Sequence, residues 1–184
     1  FSIFCQEECD PSVDSCFFRT QTQGGWGSVP SGNNPGSYLH DNFDGAFPSG
    51  ITIGCANTVT LNSAQAVTDF LPQGGGPLAL TAVYVDPTSP LISTLAGNLL
   101  AVSLALGFDS YDSSFGLSSG YLGDLIITSG TFSGWTLTNL VDEANLALGG
   151  CSSSYGLSEL NDALANASSS FTDGDTSSGF LACP

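Results

Sequence analysis

The chain contains no lysine and no methionine, and a single arginine, Arg19, is its only strong base. Without lysine there is no Schiff-base catalysis and no isopeptide cross-link, and Arg19 is the one place for an Arg–carboxylate clamp. The lone histidine, His40, has no second imidazole to join it, and the cysteines show no C-x-x-C spacing, so a zinc site has no signature here. Against the single base stand 17 acids, for a net charge of −16. Such a chain cannot neutralise phosphates, which argues against nucleic acid or anionic membrane as a partner. Charge is sparse as well as one-sided: 10% of residues are charged and mean hydropathy is +0.20. A disordered acidic chain has the opposite balance, dense charge with low hydropathy. The 184 residues therefore read as one folded domain with a surface of Ser, Thr, Asn and Gly.

What is present begins with six cysteines: Cys5, Cys9, Cys16, Cys55, Cys151 and Cys183. In a Ser/Gly-rich acidic chain they point to disulfides and an oxidising compartment. Sequence alone does not choose the pairing. The expectation is a small local loop between Cys5 and Cys9, with the other four stapling distant segments. A bridge across ~100 residues contributes roughly 4–5 kcal/mol in the chain-entropy model. The start at Phe1 without methionine fits a secreted chain after signal-peptide removal, so an extracellular, cell-surface location is expected. The charge-free stretch from Pro87 to Phe108 is long enough to be tested as a membrane span. Its Gly97, Asn98 and three serines, with Asp86 and Asp109 as flanks, favour a buried helix over membrane insertion.

The texture changes near residue 60. Before it, Phe1-Ser2-Ile3-Phe4, Cys16-Phe17-Phe18 and Ile51-Thr52-Ile53 are the short strand candidates, separated by Gly/Pro/Asn turns. After it the apolar period is mostly helical. Asn62 or Ser63 caps a helix through Leu71, stopped by Pro72, and Leu80 to Val85 alternates as a strand. Pro90 opens a helix with Leu91, Leu95, Leu99, Val102 and Leu106 in register, apolar on its other side too, with Gly107 as its terminal cap. Two more helices are expected from about Leu137 to Leu148 and from about Leu157 to Ser170. The sum is a helix-rich α+β single domain with about four helices, a loop-heavy N-terminal part containing a few short strands, and disulfide staples. Residues 1–15 form an N-terminal extension and 16–184 the globular domain.

Several motifs cover most of the chain from Cys16 onward. They include Arg19-Thr-Gln-Thr-Gln-Gly-Gly-Trp-Gly27, Gly32-Asn-Asn-Pro-Gly36 with Tyr38-Leu-His40, and Phe47-Pro-Ser-Gly-Ile-Thr-Ile-Gly-Cys55. Leu61-Asn-Ser-Ala-Gln-Ala-Val-Thr-Asp-Phe-Leu-Pro72, Gly107-Phe-Asp109, Gly130-Thr-Phe132, Gly149-Gly-Cys-Ser-Ser153 and Cys183-Pro184 continue the series. In this wording the chain resembles a secreted domain of large surface and extracellular proteins of Bacteroidetes-type bacteria, often associated with type IX secretion. The resemblance implies an extracellular, surface-associated role and carries no catalytic residue over. Residues 1–15 fall outside it.

Catalytic chemistry finds little purchase. His40 follows Tyr38-Leu39 in a stretch that reads as loop, and no G-x-S-x-G elbow surrounds any serine. Asp175-Thr176-Ser177 echoes an aspartic-protease corner without a second one. A pair of carboxylates for glycoside hydrolysis is available among 17 acids, but nothing singles one out. No enzyme activity is expected. Calcium is a better candidate. Asp173, Asp175 and Ser177 alternate as in a calcium loop, without the sixth-position glycine or the twelfth-position acid. Asp41-Asn42-Phe43-Asp44-Gly45 and Asp109-Ser110-Tyr111-Asp112 are weaker candidates, and Asp and Gly also simply make turns. Asn166-Ala167-Ser168 is the one N-glycosylation match.

Two functional expectations follow. The first is an extracellular structural protein, a subunit that polymerises with copies of itself into a surface filament or layer. Phe1, Ser2, Ile3 and Phe4 would add as a strand to the next subunit. The second is a carbohydrate-binding adhesin module that stacks glycans on exposed aromatics, Trp26 in its Gly-rich loop first among them. No cofactor is expected beyond a possible calcium ion.

Overall fold

The computed structural model describes residues 16–175 and 177–184. The candidate assembly segment Phe1, Ser2, Ile3 and Phe4, and the cysteines Cys5 and Cys9, lie outside the described residues. The fold is α+β and helix-rich, with six helices and five short strands among those residues.

One helix, α4 (Thr94–Tyr111), runs through the centre. Its Leu95, Leu99, Val102 and Leu106 bury one side, and Leu100, Leu104, Ala101 and Ala105 bury the others. A helix apolar all round must be wrapped on all sides. Around it pack α1 (Gln23–Trp26), α2 (Pro35–Ala46), α5 (Leu137–Leu148) and α6 (Leu157–Ser168). The short α3 (Ala64–Phe70) lies against α2. Among the described residues no helix is long and apolar enough to cross a membrane.

Two small sheets complete the fold. In the first, β1 (Ile51–Gly54) and β2 (Thr58–Leu61) form an antiparallel hairpin, with Ile51 opposite Leu61 and Gly54 opposite Thr58. β3 (Tyr84–Val85) joins β2 in parallel, giving the order β1-β2-β3. In the second, β4 (Ile126–Ile127) pairs with β5 (Leu181–Ala182).

Several expectations need correction. The N-terminal part is not loop throughout: α2 starts on the Asn34 cap with Pro35 in its first turn, and buries Leu39 and Phe43, four apart. Cys16-Phe17-Phe18 is not a strand; the Phe17 carbonyl instead accepts from the N–H groups of Leu117 and Ser118. α4 opens at Thr94 on the Ser93 cap, not at Pro90, because Gln73 Oε1 accepts from the N–H groups of Leu91 and Ile92 and holds that stretch outside the helix. Ile92 there has φ +55°, incompatible with a right-handed helix. Gly107 does not end α4. It sits inside the helix where a side chain would collide with the Phe47 ring. Of the strand expected over Leu80 to Val85, only Tyr84–Val85 pairs; Leu80 is buried and its N–H donates to the Leu148 carbonyl at 2.8 Å.

Both described disulfides join distant segments. Cys16–Cys183 bridges residues 167 apart, and Cys55–Cys151 ties the turn after β1 to the loop between α5 and α6, 96 residues on. The second is set by backbone contact. Gly149 lies so near Cys55 that a side chain would strike its backbone, and the Asn57 N–H donates to the Gly149 carbonyl at 2.9 Å. The double variant Cys55→Ser/Cys151→Ser is expected to lose ~2–4 kcal/mol in urea unfolding while keeping its helical circular dichroism.

Candidate functional site

The residues singled out for chemistry are spread over the molecule. His40 is on α2 and shares a hydrogen bond of 3.0 Å with Thr68 Oγ1 of α3. In the candidate calcium loop, Asp173 Oδ1 accepts from Gln21 Nε2 at 2.7 Å. Ser177 Oγ donates to the Leu181 carbonyl at 3.2 Å and accepts from the Gly179 N–H at 3.0 Å, while Asp175 is exposed. These bonds fasten the loop to Gln21 and to the tail that leads into β5. Asp41 and Asp44 lie on α2. Among the described residues, no three His, Cys, Asp or Glu side chains gather where they could hold a metal ion. Asn166 is exposed on α6, but Ser168 of the same motif is buried.

Trp26 is a clear correction. It is fully buried, its Nε1–H donates to the Ala101 carbonyl of α4 at 3.1 Å, and its ring packs against Phe108 and Phe115. It cannot stack on a sugar, and the carbohydrate-binding reading loses its leading residue. The Gly-rich stretch that looked like an exposed loop is α1, lying on α4 with Thr22 Oγ1 as its cap. Trp135 packs with Phe132 and Tyr155 instead.

The aromatic cluster around Trp26 holds the chain's one arginine. The Arg19 guanidinium lies 5.6 Å from the ring centroids of both Tyr38 and Phe115, a cation–π contact with two neighbouring rings, and its Nε is buried without a hydrogen-bond partner. The Tyr38 hydroxyl donates to Asp112 Oδ2 at 2.7 Å. Burial and that carboxylate push the Tyr38 pKa far up, so it stays a neutral donor. Asp112 also accepts from the Ser114 N–H and hydroxyl, and these bonds, with Tyr38, hold its pKa below the usual carboxylate range. Asp109, at the same end of α4, is shifted the other way by burial, although it accepts from the Leu122 N–H at 2.8 Å. The third acidic motif is thus the hydrogen-bonded end of a helix. What the cluster does is fix the end of α4 and the segment after Cys16.

The most distinctive surface feature is apolar. Phe17 and Leu117 are 44% and 85% exposed and sit side by side at the C-terminal end of α4, the Leu117 N–H donating to the Phe17 carbonyl. Leu78 and Ile92, 53% and 57% exposed, flank the Ser93 cap at the other end of α4, where Ser93 Oγ donates to the Leu78 carbonyl at 2.6 Å, while Val83 and Val85, 63% and 60% exposed, lie at β3. Composition alone did not locate these groups, because isolated Val and Leu residues between turns carry no burial signal.

Compared with family models, curated proteins and solved structures, the chain matches none.

Two outcomes check this picture. Trp26→Ala is expected to destabilise the fold by ~3–5 kcal/mol in chemical unfolding. Asp112, with its depressed pKa, stabilises the fold above the unfolded carboxylate value of ~3.9, and that contribution is lost as pH falls through the folded value. A series of Tm against pH should therefore show a shallower acid-side loss for Asp112→Asn than for the natural chain.

Proposed function

We propose that this protein is an extracellular structural subunit that assembles with copies of itself through non-covalent contacts, without catalysis. The observation that carries the reading is the pair of exposed apolar surfaces at opposite ends of α4, Phe17 with Leu117 at one and Leu78 with Ile92 at the other. α4 has 18 residues, which at 1.5 Å per residue puts its ends ~27 Å apart. Two different patches on one chain suit a head-to-tail contact, which propagates instead of closing into a dimer. The Cys16–Cys183 clasp supports the same reading: it anchors the root of residues 1–15 to β5, so a load on that segment reaches the body through a covalent link. The resemblance to secreted surface domains and the near absence of trypsin sites agree with a durable extracellular material.

Negative-stain electron microscopy of the purified protein, with calcium and with a chelator, tests the reading. Regular polymers are expected, and loss of them on chelation would make the acidic loops calcium bridges. Deleting Phe1 to Phe4 is expected to leave the domain folded and stop assembly. Because each copy carries −16, assembly should strengthen as salt rises from about 0.01 M to about 0.15 M and the Debye length falls from ~30 to ~8 Å. Dispersed monomers under all these conditions would contradict the reading.

A further inference from the structure

β3 is the outer strand of its sheet, with β2 on its inner side and no strand beyond it among the described residues. It pairs in parallel, Val59 with Tyr84 and Thr60 with Val85, and the Asp86 N–H donates to the Thr60 carbonyl at 2.9 Å. In a parallel ladder alternate residues turn their peptide groups to the partner. With Asp86 bonded inward, Val85 turns its N–H and carbonyl away from β2. Val83 and Val85, two apart, share one face and are 63% and 60% exposed. Natural edges are blunted by shortness, charge, proline or a bulge, and the two-residue β3 has the first of these. Residues 83–85 have neither charge nor proline, and the chain has no lysine at all.

We propose that this edge is the acceptor for residues Phe1–Phe4 of a second copy, which add as a strand beyond β3. The proposal rests on the assembly reading above and names its contact. Four observations select this occupant. β3 belongs to the first sheet, whereas the occupant's root, Cys16, is clasped to Cys183 beside β5 of the second, so donor root and acceptor belong to different parts of each copy. The 15 residues before Cys16 can span at most ~50 Å, enough to cross between neighbours. Phe1 and Ile3 fall on one face of an extended strand, matching the spacing of Val83 and Val85. Phe1–Phe4 carries no acidic side chain, while Glu7, Glu8 and Asp10 follow directly, so only the neutral part can lie against a strongly acidic neighbour.

The test uses the full chain and two variants. The acceptor variant is Val83→Asp/Val85→Asp, and the donor variant is Phe1→Ser/Ile3→Ser/Phe4→Ser. Val29→Asp/Ser154→Asp, at exposed residues outside both apolar patches, controls for the added charge. Electron microscopy and sedimentation velocity should find polymers from the natural chain and the control, and monomers from each variant alone. All four should keep the same circular dichroism. Mixing the two variants should give a discrete one-to-one pair, since one intact donor meets one intact acceptor and neither product can extend. Polymers that persist in the acceptor variant but vanish in the donor variant would overturn β3 as the acceptor and leave the assembly reading standing. Symmetric dimers that survive loss of the donor would also overturn it, as β3-to-β3 pairing. No polymer from the natural chain would overturn the proposal together with the reading beneath it.

Discussion

The burial of α4 on every side is the constraint on which the rest depends. A helix with leucines on all faces cannot lie on a surface, so the other elements form a sleeve around it. Small residues let that sleeve come close: the Trp26 indole reaches the Ala101 carbonyl, and the Phe47 ring lies over Gly107. The amides that the sleeve buries are paired. Asn98 of α4 accepts from Gln23 at 2.8 Å and donates to Asn161 of α6 at 3.0 Å, joining α1, α4 and α6 in one chain of amides. Paired in this way, buried amides fix the position of the helices around α4 without the cost of orphaned polar groups.

With so few charges, the surface is held by Asx, Ser and Thr caps and by the two disulfides among the described residues. Ser63, Ser93 and Thr136 cap their helices, and Asn34 Oδ1 accepts from both the N–H and the hydroxyl of Ser37. Cys55–Cys151 fastens the first sheet to the α5–α6 loop, and Cys16–Cys183 fastens the second sheet to the segment that enters from residue 15. The single guanidinium packs against the rings of Tyr38 and Phe115. A chain so built has almost no cationic surface with which to attract its own acidic copies. In the proposed assembly, contacts between copies would therefore come from apolar side chains and peptide groups, the two things that the β3 edge displays.

Periodic burial was legible in the sequence, and geometry set by distant partners was not. α3, α5 and α6 were readable from apolar spacing with a good cap or stop, and β1 from Ile51 and Ile53 flanked by turns. α2 does not stand out in the sequence because Gly32, Asn33, Asn34, Pro35 and Gly36 look like a turn, although Asn34-Pro35 also has the chemistry of a helix start. The start of α4 shifted because a side chain from residue 73 claims the N–H groups at 91 and 92, which no local rule reveals. The glycines around Trp26 suggest exposure, yet Gly97 of α4, where a side chain would strike Gln23, lets α1 lie against α4 and bury the indole. The apolar patches at the ends of α4 were invisible for the same reason: exposure is a property of the assembled sleeve.

Hydrogen–deuterium exchange on dispersed and assembled protein tests the central claim most directly, because it reads individual peptide groups. Val85 turns its N–H outward, so addition of a strand should slow exchange at residues 83–85 on assembly while the interior of α4 stays unchanged. Equal exchange at those residues in both states, with protection appearing elsewhere, would contradict an assembly built on the β3 edge.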